Sequence, residues 1–274
     1  MRFLFCGDVV GRPGREAIVE HLARLRRQLA IDFAIANGEN AAGGFGITAK
    51  ICDELFAAGV DVISGGNHIW DQRDAAATID REPRLLRPQN YPSGTPGRGA
   101  AIYPVPGARK ILVLNVMGRL FMDPLDDPFA CVDRELAKHR LGATVQAIVV
   151  DMHAEATSEK MAMGHFVDGR ASLCVGTHTH VPTSDTMILP GGTAYQSDAG
   201  MCGDYDSVIG MEKAEPIARF TRKLRGAHLS AARGEGTLCA VFVETDDKTG
   251  LAKRVAPLRA GGRLSPTEPE AEVG

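Results

Sequence analysis

Arg2-Phe3-Leu4-Phe5-Cys6-Gly7-Asp8 is an apolar run that meets a glycine and then an acid, and the same pattern returns along the chain. Pro13 follows, suited to the first turn of a helix. Ile18, Leu22, Leu25 and Leu29 then recur at helical spacing, with Arg24, Arg26 and Arg27 between them. Phe33-Ala34-Ile35-Ala36 runs into Asn37-Gly38-Glu39-Asn40 and a turn with Gly43, Gly44 and Gly46. Thr48 is placed to cap a second helix carrying Ile51, Leu55 and Phe56. Residues 60–63 read as a third strand ending in Ser64-Gly65-Gly66-Asn67-His68. This strand–helix alternation predicts α/β units around a buried sheet.

Residues 81–100 carry four prolines and three glycines, which predicts a long surface loop. Strands resume at 111–115 and 147–150, with a helix around 129–140 between them. The run 172–176 then leads into Thr177-His178-Thr179-His180. Beyond it the texture is of short strands and turns, closed by a hairpin pairing 237–244 with 251–258. Residues 1–259 read as one domain, without internal repeat or linker. Residues 260–274, rich in glycine, proline and glutamate, read as a disordered tail.

The 274 residues are 44% hydrophobic and 24% charged, which places the chain with globular proteins. A net charge of −3 excludes a general basic field for gripping duplex nucleic acid, though not a local basic groove. The six cysteines show no CxxC spacing and read as buried reduced thiols. No stretch of 18 apolar residues and no secretory leader is present, so the expected location is cytoplasmic, without a membrane span.

Asp8, Glu39, Asn40, Asn67, His68, His153, His178 and His180 each come just after one of five apolar runs. In open α/β sheets the carboxyl ends of the strands share one edge, where ligands bind. Carboxylate, amide oxygen and imidazole together suit hard-to-borderline metal ions, and the lack of cysteine argues against a closed structural zinc site. The donors are too many for one ion and about enough for two sharing a carboxylate. In His178-Thr179-His180, positions i and i+2 of an extended segment point to one side, so both rings can reach one site. Individually the pieces have plainer readings. Asp8 could cap a helix, Glu39-Asn40 could be turn chemistry, and Glu155, Glu159 and Lys160 fit an exposed helix start.

Gly7-Asp8, Gly38-Glu39-Asn40, Gly66-Asn67-His68, His153 and Gly176-Thr177-His178-Thr179-His180 resemble the five blocks of the calcineurin-like metallophosphoesterases. Order and spacing, with the blocks at 8–15, 37–44 and 151–160, look like the YmdB-type branch, phosphodiesterases acting on 2′,3′-cyclic nucleotides. The resemblance spans residues 1 to about 258. It implies a four-layer α/β/β/α sandwich of two mixed sheets flanked by helices. Two departures from the broad superfamily stand out. Asp8 is followed by Val9 and Val10 rather than by the usual Asp-x-His histidine, and Glu39 replaces the bridging aspartate. By resemblance Asn40 replaces the lost histidine, and this oxygen-richer site suits iron or manganese better than zinc.

The resemblance further assigns one metal to Asp8, Glu39, Asn40 and His180 and a second to Glu39, Asn67, His153 and His178. A hydroxide bridging the two attacks phosphorus in line, and His68 protonates the leaving alkoxide as general acid. Asp71 is placed either to orient His68 or to start a helix. Arg12 and Arg15 read as phosphate contacts or as solvated surface arginines, and Trp70 as a base-stacking ring or a buried anchor. Residues 81–100 and 117–128 could wall the site. The expected ligand is a small phosphodiester, a cyclic nucleotide; an RNA or RNA-processing partner and a homo-oligomer stay open. The rival readings are an amide hydrolase on the same two metals, a phosphorylated Asp8, and a regulatory RNA- or protein-binding protein that retains the metals. A dinucleotide fold fails, because Gly7, Gly11 and Gly14 do not form G-x-G-x-x-G.

Overall fold

The computed structural model describes residues 1–223, 226 and 228–269. Along the chain come β1 (Arg2–Val9), α1 (Gly11–Gln28), β2 (Phe33–Asn37), α2 (Ala49–Ala57), β3 (Val62–Ser64) and α3 (Ala75–Arg81). Then follow β4 (Ala100–Val105), β5 (Arg109–Met117), α4 (Pro128–Leu136), β6 (Ala147–His153), α5 (Thr157–Phe166) and β7 (Leu173–Thr177). Three short strands, β8 (Met187–Ile188), β9 (Ala194–Gln196) and β10 (Met201–Cys202), precede α6 (Ala214–Arg222). The described chain closes with β11 (Leu238–Thr245) and β12 (Ala252–Ala260).

Two mixed sheets result. The first has the order β12-β11-β1-β2-β3, with β10 beside the end of β1; the second runs β4-β5-β6-β7-β9-β8. In the first, β1, β2 and β3 are parallel, and β11 joins β1 antiparallel. In the second, β5, β6, β7 and β9 are parallel, with antiparallel edges. Strand alternation sorts the apolar residues into three layers. Phe3, Phe5 and Ile35 of the first sheet meet Val113, Val149 and Val175 of the second in a core between the sheets. Leu4, Cys6 and Ala36 turn outward onto Ile18, Leu22 and Leu25 of α1 and Leu55 of α2. Val150 and Met152 turn outward onto Val132 of α4 and Met163 of α5. Helix, sheet, sheet, helix is the four-layer order expected from the resemblance.

Thr48 caps α2 through a bond from Ile51 N–H (3.4 Å), and the closing hairpin pairs β11 with β12 as expected. All six cysteines are buried and free. Among the described residues no helix is long and apolar enough to cross a membrane.

Three local expectations are corrected. The 81–100 loop is wound around buried Arg87, whose guanidinium donates to the carbonyls of Pro88, Thr95, Pro96 and Gly97. Helix α6 appears where only turns and short strands were read; Ile217 and Phe220 stand three apart at helical spacing but are both exposed, and Pro216 is its one buried residue. Residues 260–269, read as part of a disordered tail, fold back onto the first sheet. Thr267 and Arg259 exchange backbone hydrogen bonds, and Glu268 pairs with Arg24 at 2.6 Å. Residues 270–274 lie outside the described residues.

Candidate metal centre

The carboxyl ends of β1, β2 and β3 in one sheet and of β6 and β7 in the other converge on one place. Asp8 sits on β1; Glu39 and Asn40 follow β2; Asn67 and His68 follow β3. His153 ends β6, and His178 and His180 follow β7. Glu39, His153 and His178 each offer a donor atom within 4.8 Å of the others, a grouping able to hold a metal ion. His153 Nε2 lies 2.9 Å from Asn67 Oδ1 and 3.3 Å from Glu39 Oε1. Asp8 Oδ1 is 3.9 Å from both His153 Nδ1 and His180 Nε2. Gly66 faces this cluster so closely that a Cβ there would overlap Glu39 Oε2 and His153 Nε2. Only glycine leaves the donors room to converge.

Buried polar atoms are almost always hydrogen-bonded. Here Asp8 Oδ1, Glu39 Oε1 and Asn40 Oδ1 are buried and have no hydrogen-bond partner among the described residues. All three are hard oxygen donors, and their other polar atoms are engaged. Asp8 Oδ2 accepts His178 N–H (3.1 Å), Glu39 Oε2 accepts His68 N–H (2.8 Å), and Asn40 Nδ2 donates to Gly44 O (3.1 Å). Backbone and turn partners thus hold one polar atom of each residue and leave one oxygen of each buried and without a hydrogen bond. That donor set fits a metal ion.

The histidines are prepared in the same way. His180 Nδ1 lies 2.8 Å from Ile209 O. A carbonyl only accepts, so Nδ1 carries the hydrogen and Nε2, toward Asp8, is the free donor atom. The Thr177 hydroxyl donates to Asp151 Oδ1 (2.7 Å) and therefore accepts Nδ1–H of His153 at 2.9 Å, which again leaves Nε2 for the cluster. His178 and His180 have φ of 94° and 66°, the left-handed region that non-glycine residues rarely occupy. Such strain collects at functional sites. With these angles the segment after β7 is not extended, and the i, i+2 alternation expected from the sequence does not hold there.

Charge follows burial. Burial pushes the Asp8 carboxyl up to about 7. Burial would raise Glu39 as well, but the His153 charge outweighs it and holds the group down to about 2. His153 is lifted to about 9, because Glu39 and Asp8 overcome the burial that disfavours its charged ring. Burial, with His153 adding repulsion, lowers His178 to about 3. Glu39 and His153 thus form a buried ion pair, 3.3 Å apart.

His68 lies beside this cluster, half exposed, with Nδ1 2.8 Å from Asp71 Oδ2 and its ring edge-on to Phe45. Asp71 therefore orients His68, one of its two sequence readings. Arg15 leaves the phosphate-contact reading, since its guanidinium binds Ala41 O (2.6 Å) and Glu54 (3.1 Å). Arg12 is exposed and pairs with Glu16. Trp70 packs against the first sheet's outer core and sits edge-on to Tyr91, an anchor rather than a stacking surface.

Sequence reasoning missed the layer beneath the donors. Asp151 is fully buried between the sheets and accepts from Ser64 Oγ (2.6 Å) and Asn37 Nδ2 (3.3 Å) on one side and Thr177 on the other. Its carboxylate joins the two half-sites, and burial pushes its carboxyl up to about 6. Glu159 and Lys160, read as an exposed helix start, are buried. Glu159 accepts Arg119 and Leu120 N–H. Lys160 Nζ meets Asp198 Oδ2 at 2.7 Å, and the same oxygen accepts the backbone N–H (3.2 Å) and hydroxyl of Thr179, between the two strained histidines. Lys160→Met would leave the Asp198 charge buried and unpaired, an expected cost of about 3 kcal/mol. Calorimetry should show Tm lowered by roughly 6–12 °C; an unchanged Tm would remove this pair from the account of how the loop is held.

Comparison with known proteins agrees in sequence and in fold. The family described as YmdB-like protein matches residues 4–258. A 2′,3′-cyclic-nucleotide 2′-phosphodiesterase of Bacillus subtilis is 46% identical over 255 residues, covering 93% of this chain and 95% of the relative. A crystal structure described as a hypothetical protein from Thermus thermophilus superposes with a TM-score of 0.89 at 44% identity, covering 96% of this chain and all of that one. A novel phosphatase from Mycoplasma pneumoniae gives a TM-score of 0.89 at 34% identity, covering 95% and 93%.

Proposed function

The chain belongs to the YmdB-like protein family, and from that premise we propose that it is a metal-dependent phosphodiesterase that cleaves 2′,3′-cyclic nucleotides. The observation that carries the reading is the set of buried oxygens of Asp8, Glu39 and Asn40 that have no hydrogen bond among the described residues, at the meeting of two sheets. Asp8, Glu39, Asn40 and His180 would hold one ion and Glu39, Asn67, His153 and His178 the other, with Glu39 shared. Bound there, the two ions would supply Lewis acidity toward a phosphoryl oxygen and a nucleophilic water. The oxygen-rich first set favours iron or manganese.

The chain's own part is positioning and proton transfer. Thr177 and Ile209 O fix the rings of His153 and His180, so each presents Nε2 without a search over rotamers. His68 Nδ1–H is held by Asp71, and the proton for the departing ribose oxygen is carried on Nε2 of the same ring. Asn67 and His68 are adjacent in the chain, and the His68 backbone N–H donates to Glu39 (2.8 Å), which supports a proton donor beside the site that would hold the phosphoryl group.

The test is hydrolysis by chelated protein before and after Mn²⁺ is added, with bis(p-nitrophenyl) phosphate, p-nitrophenyl phosphate and 2′,3′-cyclic AMP. Cleavage of the diesters restored by Mn²⁺, with the monoester much slower, is the expected result. Two bound ions with no ester cleaved would overturn the phosphodiesterase reading and return the amide-hydrolase and regulatory readings.

A further inference from the structure

The segment after β5 leaves an aromatic ring in an unusual state. Phe121 is 91% exposed, and its φ of 61° is left-handed. Bulky residues avoid that region, and a phenyl ring in water gains nothing from folding. Neither feature helps the fold.

The stem of this segment is fixed. Gly118 N–H donates to the carbonyl of His153 (2.9 Å), so the segment leaves directly from a residue of the metal centre. The Glu159 carboxylate accepts Arg119 N–H (2.9 Å) and Leu120 N–H (3.4 Å). Asn90 clamps both ends, donating to Met117 O (2.8 Å) and Asp126 O (2.9 Å). A Cβ at Gly118 would overlap Glu159, so the close approach of segment to helix α5 requires glycine. Rigid anchors thus present a single exposed ring.

That ring borders a cavity of about 390 Å³, whose lining also includes Asn67 and His178 of the centre, with Met122 and Asp123. The volume is in the range of small-molecule sites. Its lining thus combines two residues of the proposed donor set with an exposed aromatic ring. Each nucleobase has a π-face that stacks on such a ring, whatever its hydrogen-bonding edge.

We infer that Phe121 is the stacking platform for the base of a nucleotide whose phosphodiester lies at Asn67 and His178. This rests on the phosphodiesterase reading above and adds the residue that favours a nucleoside over other diesters. The selectivity is for the presence of a base and its stacking area, with purines ahead of pyrimidines.

The experiment compares Mn²⁺-loaded wild type, Phe121→Ala and Phe121→Trp on 2′,3′-cyclic AMP and on the base-free 2′,3′-cyclic phosphate of 1-O-methylribose. Phe121→Ala is expected to lose about 5- to 150-fold in kcat/KM on the nucleotide, mostly through KM. Its rate on the base-free ester should equal wild type, and Phe121→Trp should restore the nucleotide rate. Equal losses on both esters, no loss on either, or a change in association state on size exclusion would overturn the stacking role. If wild type cleaves neither ester, the phosphodiesterase reading itself has failed. Calorimetric binding of 2′,3′-cyclic AMP to the metal-free protein then decides Phe121 separately. Weakening in Phe121→Ala by the same factor supports the platform, and equal affinities or no binding overturn it.

Discussion

Replacing Glu39 with glutamine is expected to remove both metal ions together. The substitution keeps the shape, and the amide oxygen can still accept His68 N–H where Oε2 now does so at 2.8 Å. The other end changes from acceptor to donor. Oε1 is buried without a hydrogen bond, 3.3 Å from His153 Nε2, and an NH₂ in its place would turn two hydrogens toward the atoms that must converge on an ion. The lost charge matters as much as the lost lone pairs. Removing one member of a buried charge pair typically costs 3–5 kcal/mol, so each metal association constant should fall on the order of 10²–10⁴-fold. The measurement is metal content after Mn²⁺ loading and dialysis: two ions per chain for wild type and close to none for Glu39→Gln. Asn40→Ala, a residue proposed for one ion only, should retain the other. One fully occupied site in Glu39→Gln would contradict a shared carboxylate, while equal losses in both variants would point to general collapse of the centre.

How much of this was legible in sequence divides along physical lines. The strands and their polar ends were readable because both are local: an apolar run of five residues followed by Gly-Asp, Gly-Glu-Asn or Thr-His-Thr-His is complete within one stretch of chain. Asp71 was readable with its alternative, since an acid three residues after His68 is within reach in a tight turn. What lay outside sequence reach depended on a partner far along the chain. Lys160 looks like an exposed helix residue until Asp198, 38 positions later, covers it. Asp151 looks like an ordinary strand-end acid; its role comes from Ser64, 87 residues earlier, on the other sheet. Arg15 faced the same limit in the opposite sense, since Glu54 and Ala41 claim a guanidinium that sequence position alone offered to a phosphate. Phe121 carried no periodic signal, because it is left unpacked and exposed.

Substituting alanine for His68 should separate proton transfer from metal binding. The imidazole lies outside the three-residue donor grouping, and its contacts are with Asp71 (2.8 Å) and the edge of Phe45. The link between residue 68 and the centre is its backbone N–H to Glu39, which alanine preserves. Metal content should therefore stay at the wild-type level while turnover falls about 10²–10⁴-fold, the usual contribution of a positioned acid. The loss should track the leaving group. A ribose alkoxide needs the proton, whereas p-nitrophenolate leaves readily without one, so bis(p-nitrophenyl) phosphate should suffer much less than 2′,3′-cyclic AMP. Asp71→Asn gives the intermediate case: its amide can still bond the ring but no longer supplies the negative charge beside it, and its loss should fall between wild type and His68→Ala. A uniform fall on both esters would mean that His68 shapes the pocket, and a fall in metal content would make it part of the donor set. Wild-type turnover on the cyclic nucleotide would end the general-acid role outright.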